Sequence, residues 1–105
     1  MATYADVKAC AIDVVDDFTE MDLAANYAPA GKANFSAKTK MTSLTINETT
    51  LAGMTIRFNK AMGKLCGDSW NKVGSFDMVK LTTVGQCIQL ACAKSGTNLP
   101  VGEPK

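Results

Sequence analysis

The chain has 105 residues, a net charge of +1 and no histidine. That length suits one domain around a single modest core, and so small a charge supplies no field for bulk nucleic-acid binding. Without histidine, Ser-His-Asp and Cys-His catalysis are excluded, and the lack of any C-x-x-C pair argues against a tetrahedral zinc site.

The opening MATYADVKACAIDVVDD has no basic leader, so a cytoplasmic location is expected. No apolar run approaches the ~18 residues of a membrane span. Thr3 to about Glu20 reads as the first helix, with Thr3 as cap and Asp6 three residues on. Val7, Cys10 or Ala11, Val14, Phe18 and Met21 form its apolar stripe. Asp13, Asp16, Asp17 and Glu20 make its later half acidic, against the helix dipole. The simplest use for these acids is pairing with cations of the next helix.

Asp22 to Ser43 sustains no period and reads as a long connection, with a helical turn around Asp22 to Tyr27. Phe35 and Met41 are its candidate anchors to the core; its lysines 32, 38 and 40 read as a solvated loop. Met41 to Ile46 is the best candidate for a strand, and a weak one.

Thr45 to Leu65 is the central helix. Leu51, Met54 or Thr55, Phe58, Met62 and Leu65 recur at helical spacing. Thr45 and Glu48 have the spacing of a capping box, and Gly67 suits a left-handed stop. GDSWNKVG is a turn region carrying Trp70. A short helix follows over Ser75 to Leu81. Thr83-x-x-Gln86 is a second capping box, opening a last helix with Val84, Cys87, Ile88, Ala91 and Cys92 inward. Lys94-Ser95-Gly96 carries its stop signals. The expected fold is all-α, a small three-to-four-helix bundle with a long first loop. It forms one domain over 1–105, ordered over about 4–95, with 96–105 as a tail. The four cysteines, Cys10, Cys66, Cys87 and Cys92, read as reduced core fillers.

This helix order, with the run Phe76-Asp-Met-Val-Lys-Leu-Thr-Thr-Val-Gly-Gln86, resembles the acyl carrier protein family. The run is similar to that family's junction between third and fourth helices, and the helix order extends the likeness over residues 4 to 94. The resemblance implies a 4′-phosphopantetheine arm on a serine at the start of the second helix. There, free N–H groups and the positive dipole end favour the phosphodiester. It also implies an acyl chain on that arm and partner enzymes that process it.

Three positions compete for the attachment. Ser43, in Thr42-Ser43-Leu44, lies two residues before the expected helix start but lacks a preceding aspartate. Thr55 falls at the family's ungapped spacing but inside the helix. Ser69 has the Asp-Ser dipeptide but follows the helix. Helix-terminus physics favours Ser43. The family's second helix is usually acidic, whereas this one carries Arg57, Lys60 and Lys64, so the resemblance implies that the docking face is altered or the carrier role is lost.

The alternative expectation is a non-catalytic binding or scaffold module without a covalent cofactor. It would act through Arg57, Lys60, Lys64 and Trp70, through the acidic face of the first helix, or through an apolar groove edged by Trp70 and the methionines. A buried apolar pocket would favour a small lipid- or acyl-binding protein. With the acids on a helix exterior and no phosphate-binding glycine loop, no catalytic residue is assigned.

Overall fold

Thr3 and Asp6 close the start of the first helix reciprocally. Asp6 N–H donates to Thr3 Oγ1 at 3.2 Å and Thr3 N–H to Asp6 Oδ2 at 3.1 Å. Hydrogen bonding from the Thr3 backbone N–H, and then from the Thr3 side chain, holds the Asp6 carboxyl below its ordinary range. The computed structural model describes residues 2–21 and 35–105, so the helical turn expected at 22–27 lies outside it, as do the side chains of Glu20 and Met21. Among the described residues four α-helices form: α1 (Tyr4–Met21), α2 (Glu48–Cys66), α3 (Ser75–Met78) and α4 (Val84–Ser95). The all-α expectation holds. No described helix is long and apolar enough to cross a membrane.

α1 packs against both α2 and α4, while α3 packs against α2. Val7, Ala11, Val14 and Val15 face this core from α1, and Leu51, Met54, Phe58 and Met62 face it from α2. α4 contributes Val84, Cys87, Ile88, Ala91 and Cys92, all five anticipated from its period. Phe18 and Cys10 are only half-buried, and Leu65 is 37% exposed at the end of its helix. All four cysteines are free. Cys87 is enclosed, and burial pushes its thiol up to about 12.

The central helix starts three residues later than expected. Asn47, not Thr45, is the cap: its Oδ1 accepts from Thr50 N–H at 2.9 Å and Thr50 Oγ1 at 3.0 Å. Thr45 sits in the left-handed region at φ 61°, closing a 3₁₀ turn over Met41–Leu44. The Thr45/Glu48 box therefore does not form. The competing device is a hydrophobic staple, in which Ile46 and Leu51 flank the cap and are both buried. Burying Ile46 turns the chain through Thr45 and hands the cap to Asn47. The 3₁₀ turn also replaces the strand considered for Met41–Ile46. Met41 is buried there as an anchor, and Phe35 packs on the core from outside.

α2 stops at Gly67, whose positive φ of 61° and N–H to the Gly63 carbonyl suit a residue without Cβ. The 67–74 turn is held by Asn59. Its Oδ1 accepts from Trp70 Nε1 at 3.1 Å and Val73 N–H at 2.8 Å, and its Nδ2 donates to the Val73 carbonyl at 2.9 Å. α3 is shorter than expected, ending at Met78, whose carbonyl accepts from Leu81 N–H at 3.1 Å.

At α4, Thr83 Oγ1 caps Gln86 N–H at 3.2 Å as expected, but Gln86 Oε1 reaches back to Thr82 N–H at 2.8 Å instead of Thr83. Thr83 lies where the loop meets α4. It forms an antiparallel bridge with Lys40, so Met41 N–H donates to the Thr82 carbonyl and Val84 N–H to the Thr39 carbonyl, both at 2.9 Å. Gly85 N–H adds a bond to the Ala37 carbonyl at 3.0 Å. The first N–H groups of α4 are thus satisfied by the loop. The last segment is more than a tail: Glu103 Oε1 accepts from Tyr4 Oη at 2.9 Å and Lys8 Nζ at 3.3 Å, tying residues 96–103 back onto α1.

Two glycines in helices predict opposite outcomes for one substitution. A Cβ at Gly85 would stand 2.7 Å from the Ala37 carbonyl oxygen, while one at Gly53 would meet nothing within 4 Å. Gly85→Ala should cost about 1–3 kcal/mol, as overpacking against backbone does. Gly53→Ala should gain about 0.5–1 kcal/mol of helix propensity. Urea denaturation of both variants checks the pair.

Candidate functional site

The docking of the 37–41 loop onto α4 leaves a cleft in front of it. Its volume is about 410 Å³, and its walls are Lys40–Thr42, the first turns of α2 and the Val79–Thr83 segment. Met41, Leu51, Val79 and Leu81 make its floor apolar. The first two and Leu81 are buried members of the core, while Val79 is half-buried at the edge. Lys40, Glu48 and the Thr42, Thr82 and Thr83 side chains form its rim. The volume falls within the roughly 300–1,000 Å³ of small-molecule pockets, and an apolar floor with few polar groups at the mouth is their usual build.

The start of α2 stands at this mouth. A carrier of the resembling family needs its serine there, but the residues are Asn47, Glu48 and Thr49. Glu48 occupies the first helical position with an exposed carboxylate. Ser43 is exposed on the 3₁₀ turn, five residues before Glu48, its N–H donating to the Lys40 carbonyl at 3.0 Å. Thr55 lies eight residues into an unbroken helix, half-buried, with its Oγ1 directed at the Leu51 carbonyl at 3.4 Å. Ser69 is exposed in a turn after the C-terminus of α2, its Oγ donating to the Cys66 carbonyl at 2.8 Å. That is the negative end of the dipole, which disfavours an anion. None of the three stands at a helix N-terminus, and they are not brought together.

The cationic candidates are grouped. Arg57 pairs with Asp17 of α1, and Arg57, Lys60, Ala61 and Lys64 line a shallow groove of about 240 Å³. An exposed ion pair of this kind contributes at most about 1 kcal/mol. Trp70 is separate from this group. It is half-buried, its ring edge-to-face on Phe58 at 5.6 Å, and its N–H is held by Asn59. Such aromatic pairs add about 0.5–1.5 kcal/mol, a structural use for this side chain.

A second cleft, about 580 Å³, opens at the opposite end of the bundle, where Thr3, Tyr4, Ser69, Asn71 and Thr97 give it a neutral polar lining. Among the described residues, no group of three or more His, Cys, Asp or Glu is placed to hold a metal ion. Comparison with family models, curated proteins and solved structures returns no match.

Sequence reasoning missed the floor residues Leu51, Val79 and Leu81 as site residues, since the cleft arises from contacts between distant segments. It missed the true cap because two signals overlap within residues 45–51. The buried pair Ile46 and Leu51, bracketing an asparagine, was the one that decides.

Two predictions follow from this geometry. Asn47→Ala should cost about 1 kcal/mol, whereas Thr45→Ala should stay within about 0.5 kcal/mol, because Thr45 caps nothing on α2. Equilibrium unfolding of the two variants checks which residue starts the helix. At the far end, the Tyr4 hydrogen bond, aided by Lys8, holds the Glu103 carboxyl below its usual range, so its hold is present above the unfolded value and lost as pH falls through the lowered one. Burial and the same hydrogen bond push the Tyr4 phenol up, so its hold is present below the usual phenol value and lost as pH rises through the raised one. Amide resonances of Val101 to Glu103 should therefore stay constant between roughly pH 5 and pH 9 and move toward random-coil positions at more acidic pH.

Proposed function

We propose that the chain is a non-catalytic helical binding module that holds a small apolar ligand, such as the chain of a free amphiphile, in the cleft between the start of α2 and the Val79–Thr83 segment. The observation that carries this reading is the cleft itself, an opening of about 410 Å³ floored by Met41, Leu51, Val79 and Leu81. Apolar area withdrawn from water there contributes about 25 cal/mol per Å² to binding, so the chain supplies affinity and the rim sets the head group. Glu48 at the helix start supports a non-covalent role, because the position that suits a phosphodiester carries a carboxylate.

The carrier reading, with 4′-phosphopantetheine on Ser43 and an acyl chain presented to partner enzymes, is the second. The exposure of Ser43 next to the rim residue Thr42 is the observation that favours it. An acyl group on such an arm would enter the same cleft, so the two readings share a pocket and differ in the covalent link.

One experiment separates them. Displacement of a fluorescent apolar dye by decanoate, decylamine and decanol reports on the cleft, and incubation with a broad-specificity phosphopantetheinyl transferase, followed by intact mass, reports on the link. The proposed reading expects displacement and an unchanged mass. Val79→Trp, which fills the cleft from its half-buried edge, should weaken binding at least about tenfold, equivalent to roughly 1.4 kcal/mol. Addition of one phosphopantetheine group, lost in Ser43→Ala, would instead establish the carrier. Absence of any displacement would remove the cleft as a ligand site.

A further inference from the structure

Ile56 and Phe76 are 80% and 81% exposed, on two helices that pack against each other. Single exposed apolar side chains are ordinary on protein surfaces. What surrounds this pair is not random. At 100° per residue, Ile56 and Lys60 both point almost opposite Phe58, the centre of the buried stripe of α2. Arg57 and Lys64 lie on the flank toward α1, where Arg57 meets Asp17. Asn59, one turn beyond Ile56, is bonded to Val73, two residues before α3. So α3 and its Phe76 lie on the Ile56 flank, and a cationic row lies on the other.

We propose that this outer face of α2, with Phe76 beside it, is a docking surface for an acidic amphipathic helix of a partner protein. The track from Gly53 to Lys64 spans roughly 17 Å at 1.5 Å per residue, about three turns of a partner helix. Apolar residues of that helix would cover Ile56 and Phe76. Its acids would meet Lys60 and Lys64 and enter the groove of about 240 Å³ that these line with Arg57 and Ala61. From Gly53 onward the exposed charges of α2 are Arg57, Lys60 and Lys64, with no acid among them; Asp17 of α1 pairs with Arg57, and the one acid of α3, Asp77, is half-buried, which leaves Lys60 and Lys64 as the cations open to a partner. That sets the sign of the partner.

Gly53 accompanies this arrangement. It is exposed in mid-helix, and nothing within 4 Å of its missing Cβ requires a glycine. It keeps the track low next to Ile56, where a second helix would approach. A polyanion such as RNA would be drawn by the cations but has no use for Ile56, and the net charge of +1 gives it little long-range attraction. Helix-in-groove recognition uses both features. The surface is separate from the cleft, so its test stands whether or not the cleft takes a ligand.

The test is a display selection from a library of short amphipathic helices whose polar-face charge is randomised, with the intact protein as bait. Enriched peptides should be net acidic and should bind at least about tenfold more weakly at high salt and to the Lys60→Glu/Lys64→Glu variant. Ile56→Asp and Phe76→Asp should weaken the same peptides comparably while leaving thermal unfolding unchanged, since both side chains are open to solvent. No enrichment over bait-free background, enrichment of basic or neutral peptides, or binding indifferent to Ile56 and Phe76 would overturn the proposal. So would a heparin or duplex-RNA probe that binds as tightly as the selected peptides and is lost in the lysine variant but not in Ile56→Asp.

Discussion

Three backbone hydrogen bonds between residues 37–41 and the start of α4 hold together everything near the candidate site. They run from Met41, Val84 and Gly85 N–H groups to the Thr82, Thr39 and Ala37 carbonyls. An α-helix leaves its first N–H groups without internal partners, and here the loop supplies carbonyls to two of them. The contact seats Met41 in the core and places Lys40 and Thr42 on the rim of the cleft. It depends on the absence of a side chain at Gly85, since a Cβ there would collide with the Ala37 backbone. The same contact occupies the N-terminus of α4, so that helix end is not open to an anion. The positive end that remains near the cleft is that of α2, and Glu48 sits on it.

Much of the fold was legible because it is written locally. The Thr3/Asp6 box, the Thr83 cap and the Gly96 stop each lie within a few residues of the element that they bound. The buried stripe of α4 follows from period alone. The start of α2 was misread because two local signals compete, and non-local burial decides between them: Ile46 must enter the core, which forces Thr45 into a left-handed turn. The bond from Tyr4 to Glu103 joins residues 99 positions apart and has no signature in either neighbourhood. The cleft has the same origin, since its walls come from three segments that only the folded chain brings together. By contrast, the cationic row at Arg57, Lys60 and Lys64 could be seen from spacing, because neighbours on one helix face are fixed by 3.6 residues per turn.

The methionines illustrate how the site divides from the core. Met54, Met62 and Met78 are buried and fill the interior, while Met41, equally buried, also forms part of the cleft floor. A flexible, unbranched side chain would suit the proposed role of this floor, which is to adapt to an apolar chain. Trp70 goes the other way. The sequence offers it as a partner anchor, and the structure places it against Phe58, with its N–H held by Asn59. Among the described residues Ile56, Phe76 and Val101 are the most exposed large apolar side chains, and the cleft and the outer face of α2 are distinct surfaces of one helix.

An apolar chain bound non-covalently between α2 and the Val79–Thr83 segment, as proposed, would lie against the cleft floor. Methyl-region NMR spectra of the unmodified protein during titration with decanol test it most directly. Binding in the cleft should give saturable shifts confined to the methyls of Met41, Leu51, Val79 and Leu81, with Val7, Ile88 and Ile56 unmoved. Shifts spread evenly over the exposed methyls, or none at the four floor residues, would contradict it.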